Sequence, residues 1–116
     1  MDADGSEVTI AGTLRTNNFI SIKESSQRAE LYLRRYDSGG LVDNEQLGIL
    51  WFGASENDSN WGYPAAIQAR LAEDFVEGNS EGCELEFYTT PVGTHGTNRT
   101  MVLDPSGNLQ IDGSIH

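Results

Sequence analysis

With 116 residues and a mass of 12.7 kDa, the chain has the size of one ordinary domain. Its net charge of −11 opposes binding to phosphate backbones and anionic lipids, and no apolar run approaches the ~20 residues that span a membrane, so we expect neither a nucleic-acid partner nor membrane insertion. Gly, Asn, Asp, Ser and Pro make up more than a third of the residues, which favours a turn-rich all-β protein over a helical bundle.

Alternation of apolar and polar residues predicts short strands in the first half of the chain, at residues 8–14, 19–22 and 29–33. The most apolar segment is residues 47–53 (LGILWFG), which carries large groups on both faces, with Leu50 and Phe52 on one and Trp51 on the other. A strand that is apolar on both faces is covered on both faces. In so small a chain, we expect another subunit to supply the second cover.

The second half of the chain contains one ambiguous segment between two clearer strands. Residues 64–75 (PAAIQARLAEDF) have helical propensity and apolar residues at helical spacing, yet they also alternate as a strand does. Residues 83–89 alternate clearly, and Cys83 reads there as a small apolar residue of the strand. The turn of residues 104–107 (DPSG) predicts a terminal hairpin between residues 101–103 and 109–111.

The two ends of the chain resemble each other. Residues 7–14 (EVTIAGTL) match residues 108–115 (NLQIDGSI), which aligns Gly12 with Gly113. Each copy buries little apolar surface alone and gains stability only by stacking on other strands. The match arises either by chance or because a body domain is inserted between two links of a shaft. On the second interpretation, residues 1–14 and 105–116 are shaft-like strand segments and residues 15–104 are a β-rich body domain.

The order LGILWFGASEN, AAIQARL, GCELEFYTT and RTMVLDPSGNLQIDG resembles a distal segment of phage tail fibres and tailspike-like virion proteins, often found upstream of an intramolecular chaperone. The match covers about residues 47–113. The final motif is carried by Arg99, Met101, Gly107, Asn108, Leu109 and Ile111. One departure is that Thr100 separates Arg99 from Met101, which are adjacent in the family pattern.

The resemblance implies a homotrimer of short antiparallel strands, intertwined or side by side, on the extracellular side of a virion. It also implies that residues 64–75 form a strand, against their propensity. A trimer would cover the apolar segment and bury the shaft-like ends, where glycine permits close backbone approach. The expected trimer-interface residues are Leu50, Trp51, Phe52, Gly12, Gly113 and Ile111.

One loop has the composition of a ligand site. Sugar recognition needs a flat ring against the pyranose face and amide or carboxylate groups for the hydroxyls. The candidate glycan residues are Asn57, Asp58, Asn60, Trp61 and Tyr63. The alternative is that both aromatic rings tuck under the loop or into a subunit interface. We expect no metal and no cofactor. We also expect no catalysis, since the paired carboxylates of one strand, Glu84 and Glu86, form a solvated face if Leu85 and Phe87 point inward.

The sequence therefore predicts a non-catalytic structural and host-recognition module of a tail fibre that presents loops to a bacterial surface polysaccharide. Two other functions stay open. One is an autonomous carbohydrate-binding, lectin-like module that acts as a monomer. The other is a tailspike depolymerase fragment, which would need carboxylates in a groove.

Overall fold

The computed structural model describes residues 7–23, 26 and 28–113. The chain divides into two compact units, Met1–Tyr32 and Leu33–His116. The second unit holds a single antiparallel sheet of five strands, which lie side by side in the order of the sequence. The strands are β1 (Gln46–Ala54), β2 (Gly62–Leu71), β3 (Cys83–Thr89), β4 (Asn98–Leu103) and β5 (Leu109–Ile111). The described residues contain no helix, so the all-β prediction is confirmed.

Strand β2 resolves the ambiguous segment in favour of a strand as far as Leu71. It pairs with β1 on one side and β3 on the other, with Ile67 opposite Leu50 and Phe87. A central position supplies ladder partners to both edges of the strand, and this tertiary pairing outweighs the helical propensity of its residues. The strand predicted from the family resemblance is therefore confirmed for residues 64–71.

The terminal hairpin also forms as predicted. The Asp104 carboxylate accepts the backbone N–H groups of Ser106 (2.9 Å) and Asn108 (2.8 Å), and the Gly107 N–H bonds to the Asp104 carbonyl. Gly107 has a φ of 84°, which glycine adopts without strain. The hydrogen bond from the Asn108 N–H is the largest cause of the lowered pKa of Asp104.

The strands predicted over residues 8–14, 19–22 and 29–33 are wrong, since no residue of these segments is in a strand. They have no pairing partner among the described residues, and an unpaired strand is not stable in water. Several apolar side chains there are more than half exposed: Val8, Leu14, Phe19, Ile20, Ile22, Leu31 and Leu33. Of the two end repeats, only the C-terminal one forms a strand, although Gly12 and Gly113 both have positive φ. Residues 1–6 and 114–116, which belong to the repeat and shaft predictions, lie outside the described residues.

The register separates the sheet into two faces of opposite character, because paired residues share a face and neighbours along a strand do not. The apolar face consists of Gly48, Leu50, Phe52, Ala65, Ile67, Ala69, Leu71, Cys83, Leu85, Phe87, Met101, Leu103, Leu109 and Ile111, with the uncharged polar residues Thr89 and Asn98 at one end. The network face consists of Ile49, Trp51, Ala66, Gln68, Arg70, Glu84, Glu86, Tyr88, Arg99, Val102 and Gln110. Every charged side chain on the paired positions of the three central strands lies on the network face.

A bulge in β4 explains the residue inserted between Arg99 and Met101. Met101 pairs with Phe87 and Arg99 pairs with Tyr88, so Thr100 is the extra residue. Its hydroxyl donates to the Phe87 carbonyl at 3.3 Å. Residues two apart normally share a face, but the bulge sends Arg99 to the network face and Met101 to the apolar face. The insertion thus preserves the two-faced arrangement that adjacent Arg and Met residues would give.

No helix in the described part of the chain is long and apolar enough to cross a membrane.

Deletion of Thr100 tests the bulge. Because Arg99 and Met101 would then be adjacent and still on opposite faces, we expect the fold to survive with a loss of about 1–2 kcal/mol for the missing hydrogen bonds. Deletion of Val102 is the control. Leu103 would then follow Met101 directly, so these two residues, which share the apolar face in the wild type, would point to opposite faces. Urea denaturation followed by circular dichroism measures both variants, and equal losses would contradict the bulge as the accommodating feature.

Candidate functional site

Two loops lie together at one end of the sheet. In an antiparallel meander, the β1–β2 and β3–β4 connections emerge from the same end, which here brings residues 55–61 beside residues 90–97. The Thr90 hydroxyl donates to the Pro64 carbonyl at 2.9 Å and so joins the β3–β4 connection to the start of β2, just after the β1–β2 connection. The candidate glycan loop is therefore one half of a two-loop surface.

Side chains within the first loop fix its backbone. The Ser55 hydroxyl oxygen accepts the N–H groups of Asn57 (3.2 Å) and Asp58 (2.9 Å). The Asn57 side-chain oxygen accepts the N–H groups of Ser59 and Asn60, both at 3.0 Å. Asp58 has a φ of 58°, a left-handed conformation that Asp tolerates better than most residues. The side-chain oxygen of Asn57, which was predicted to bind a ligand, therefore stabilises the loop backbone instead.

The two aromatic residues of the loop are half exposed, Trp61 at 50% and Tyr63 at 51%. Tyr63 is held in place by its contact with Trp51, whose ring centroid is 5.7 Å away at an edge-to-face angle of 62°. Its ring also lies over Gly53, where a Cβ would come within 2.8 Å of it. In this chain neither ring tucks under the loop, and both present surface on which a sugar ring can stack.

Two concave pockets adjoin at this end and share Ala54 and Gly62 in their walls. One has a volume of about 420 Å³ and the other about 300 Å³. The first is lined by Ala54, Ser55, Glu56, Asn57, Asn60 and Gly62. The second is lined by Ala54, Gly62, Tyr63, Pro64, Thr90, Thr94, His95 and Gly96. Sequence reasoning missed Thr94 and His95, because only the order of the strands in space brings their loop to this end.

A charged network occupies the centre of the network face, and Glu86 is its hub. Only 1% of Glu86 is exposed. Four side chains donate hydrogen bonds to its carboxylate. Gln68 (2.7 Å), Arg70 (3.0 Å) and Tyr88 (3.1 Å) donate to Oε1, and Arg99 (3.1 Å) donates to Oε2. All four lie on the same face as Glu86, so the sheet satisfies this buried charge by itself.

The expectation that Glu84 and Glu86 form a solvated face is wrong for Glu86. Leu85, expected to point inward, is 37% exposed on the apolar face instead. Burial raises the pKa of the Glu86 carboxyl, but the hydrogen bonds from Arg99, Gln68 and Arg70 outweigh burial and lower the pKa to about 2. The signal available in the sequence was the opposition of Gln68 and Arg70 on one strand to carboxylates on the next.

Cys83, at the start of β3, is a free and partly buried cysteine. Burial raises the pKa of the Cys83 thiol, which suppresses the thiolate that nucleophilic chemistry needs. Within the described ranges, no three His, Cys, Asp or Glu side chains lie together in a group that could hold a metal ion.

The apolar face is open in a single chain. Leu50 is 45% exposed, Phe52 50%, Leu103 40% and Leu109 55%. Among the described residues only Ala66, Leu71 and Val102 are buried apolar residues. Ala66 and Val102 lie on the network face, and Leu71 lies on the apolar face at the end of β2 farthest from the two loops. The face also carries a concave patch of about 300 Å³ beside Leu33, which lies over Gly48.

The structure divides the expected trimer-interface residues among four places. Leu50, Phe52 and Ile111 lie on the apolar face, and Gly113 follows the end of β5. Trp51, which is 48% exposed, lies on the network face. Gly12 belongs to the first unit.

No family model matches the sequence, and no curated protein matches it. Functional inference therefore depends on the residues and their geometry.

We predict that Glu86→Gln destabilises the protein by about 3 kcal/mol, because it removes the charge that Arg70 and Arg99 are arranged to meet. The control is Glu84→Gln, two residues away on the same face. Burial and the repulsion of Glu86 raise the pKa of Glu84, so neutralising it is expected to change stability by less than about 0.5 kcal/mol. Urea midpoints at pH 7 compare the two variants.

Glu86 and Glu84 also determine how the stability of the protein changes with pH in acid. The pKa of Glu86 lies below its ordinary value of 4.5, so its stabilisation is complete above about pH 4.5 and is lost as pH falls toward 2. Glu84, whose pKa is raised, opposes this loss in part. Wild-type stability should therefore fall across this window, while Glu86→Gln shows a flatter profile. A variant that keeps the wild-type slope would contradict the role of Glu86.

Proposed function

We propose that the protein is a non-catalytic structural and host-recognition module of a phage tail fibre, assembled as a homotrimer on the extracellular side of the virion. The observation that carries the proposal is the open apolar face of a single-layer sheet, at one end of which stand aromatic and polar loops. The residue-level resemblance to distal tail-fibre segments over about residues 47–113 supports the same function.

The first argument is energetic. A β-sheet with an apolar face reaches a stable state by packing that face against a second layer. The described residues supply no second sheet and no helix, and contiguous exposed apolar patches of this kind mark interaction sites. A subunit of a larger assembly can pack this apolar face against another subunit, whereas a monomer of this architecture leaves the face exposed to water.

The second argument concerns the first unit. Its described residues expose many apolar side chains and have no strand partner, as expected of a segment whose partners lie in other chains. The positive φ angles of Gly12 (145°) and Gly113 (107°) give the two end repeats a shared backbone feature. Both observations favour strand-like links of a shaft that forms only on assembly.

The third argument concerns the loops. Trp61 and Tyr63 offer ring surface. Asn60 lines the first pocket and Tyr63 the second, whereas Trp61 and Asp58 line neither. The combination of aromatic rings with the Asn60 amide suits a hydroxyl-rich ligand such as a bacterial surface polysaccharide. The hydrogen bonds of Ser55 and Asn57 preorganise the loop, which lowers the entropy lost on binding.

The solution mass tests the assembly. Three copies of a 12.7 kDa chain give a particle of about 38 kDa, and we expect light scattering to report that mass at micromolar concentration. A stable species at the mass of one chain would contradict the fibre proposal. That result would favour the autonomous lectin-like module, which needs no partner copy.

Substitution of Trp61 tests recognition. We expect Trp61→Ala to lose binding on a bacterial glycan array at least about tenfold, since stacking on an aromatic ring contributes about 1–2 kcal/mol. Tyr36→Ala is the control, because Tyr36 is an aromatic residue outside the two loops and is more accessible than Trp61, at 88% exposed against 50%. Unchanged binding, or dissociation of the trimer by Trp61→Ala, would assign Trp61 to another role. Release of reducing ends from capsular polysaccharide would instead indicate a depolymerase.

A further inference from the structure

We propose that the apolar face is the surface through which copies of this chain associate, so that three sheets enclose a triangular prism with their network faces outward. The number of copies rests on the proposed function, whereas the choice of face rests on the sheet itself. The proposal separates residues that the sequence grouped together. Leu50 and Phe52 lie inside the prism and Trp51 lies outside it.

The composition of the face fits a second copy of the same chain. None of its paired positions on the five strands is charged, and apart from Gly48, Cys83, Thr89 and Asn98 they carry Ala, Leu, Ile, Phe or Met. A chain with a net charge of −11 repels its own copies over most of its surface. The uncharged face is therefore the place where two copies approach with the least repulsion and remove the most apolar area from water.

The area of the face is sufficient. Five strands spaced about 4.8 Å apart give a width of about 24 Å, and six residues rising about 3.3 Å each give a length of about 20 Å. One face then measures about 480 Å², and two opposed faces remove about 1,000 Å², the lower bound for a specific interface. Three copies that each cover a whole face exceed that bound.

The depth of the prism also fits. A triangle with sides of about 24 Å has an axis about 7 Å from the middle of each side, and half of an ordinary sheet-to-sheet layer is about 5 Å. Large side chains at the middle of each face can fill this depth. The inner strands β3 and β4 supply Leu85, Phe87 and Met101 there, and the smaller Ala65 and Ala69 lie on β2.

The network face suits the outside of the assembly. Glu86 already has donors from its own sheet, and no buried side-chain polar atom in the described part of the chain lacks a hydrogen-bond partner. Covering this face with another copy would strip water from Arg99, which is 52% exposed, without supplying a new partner. Desolvation therefore opposes association through the network face.

Adjacent residues on β1 provide a matched test. Phe52 is 50% exposed on the apolar face and Trp51 is 48% exposed on the network face. Phe52→Glu and Trp51→Glu add the same charge at neighbouring positions. We expect Phe52→Glu to weaken association at least about 100-fold, so that light scattering reports the mass of one chain, while Trp51→Glu keeps the wild-type mass.

A second pair of variants, on β5, controls for the possibility that the substitutions on β1 unfold the protein. Leu109→Glu lies on the apolar face and Gln110→Glu on the network face of the edge strand, far from the central pairing. We expect only Leu109→Glu to dissociate the assembly, and circular dichroism checks that the sheet remains. A wild-type protein with the mass of one chain would overturn both the proposed function and this inference. This inference alone would be overturned if the wild type is oligomeric and both apolar-face variants stay oligomeric. It would also be overturned if the apolar-face and network-face variants of each pair lose assembly to the same extent.

Discussion

The closed hydrogen-bonding of Glu86 is the interaction on which the rest of this structure depends. Gln68, Arg70, Tyr88 and Arg99 all reach its carboxylate from the same sheet, so a buried negative charge needs neither water nor a second layer to satisfy it. One face of the sheet is thereby stable beside solvent. Only the opposite face, which is apolar, then lacks a packing partner in the described part of the chain, and this is why the association that we propose has a single direction.

Strand register keeps this separation of faces intact along the whole sheet. The Thr100 bulge corrects the phase of β4, so that Arg99 reaches Glu86 while Met101 joins the apolar side chains. The Asp104 carboxylate then fixes the tight turn into β5, which continues the same alternation to Ile111. A slip of one residue at either point would carry a charge onto the apolar face and apolar groups onto the other.

The sequence was informative wherever alternation was strong and turn chemistry was specific. The segment of residues 83–89 and the DPSG hairpin form as expected, and the family resemblance correctly favoured a strand over a helix for residues 64–71. Residues 8–14 also alternate, yet they form no strand, because pairing depends on a neighbour that local sequence does not specify. The burial of Glu86 was missed, because it follows from opposed side chains on two neighbouring strands. The contribution of Thr94 and His95 to the loop end required the order of strands in space.

The self-supporting turn at residues 55–61 has an evolutionary consequence. Its backbone is held by Ser55 and Asn57, while the side chains of Asn60 and Trp61 take no part in those backbone hydrogen bonds. Exchange of the latter two residues therefore alters what the tip contacts without disturbing strand register or the packing of the sheet. Under the proposed function, such an arrangement lets natural selection change the ligand that the tip recognises while the sheet stays constant.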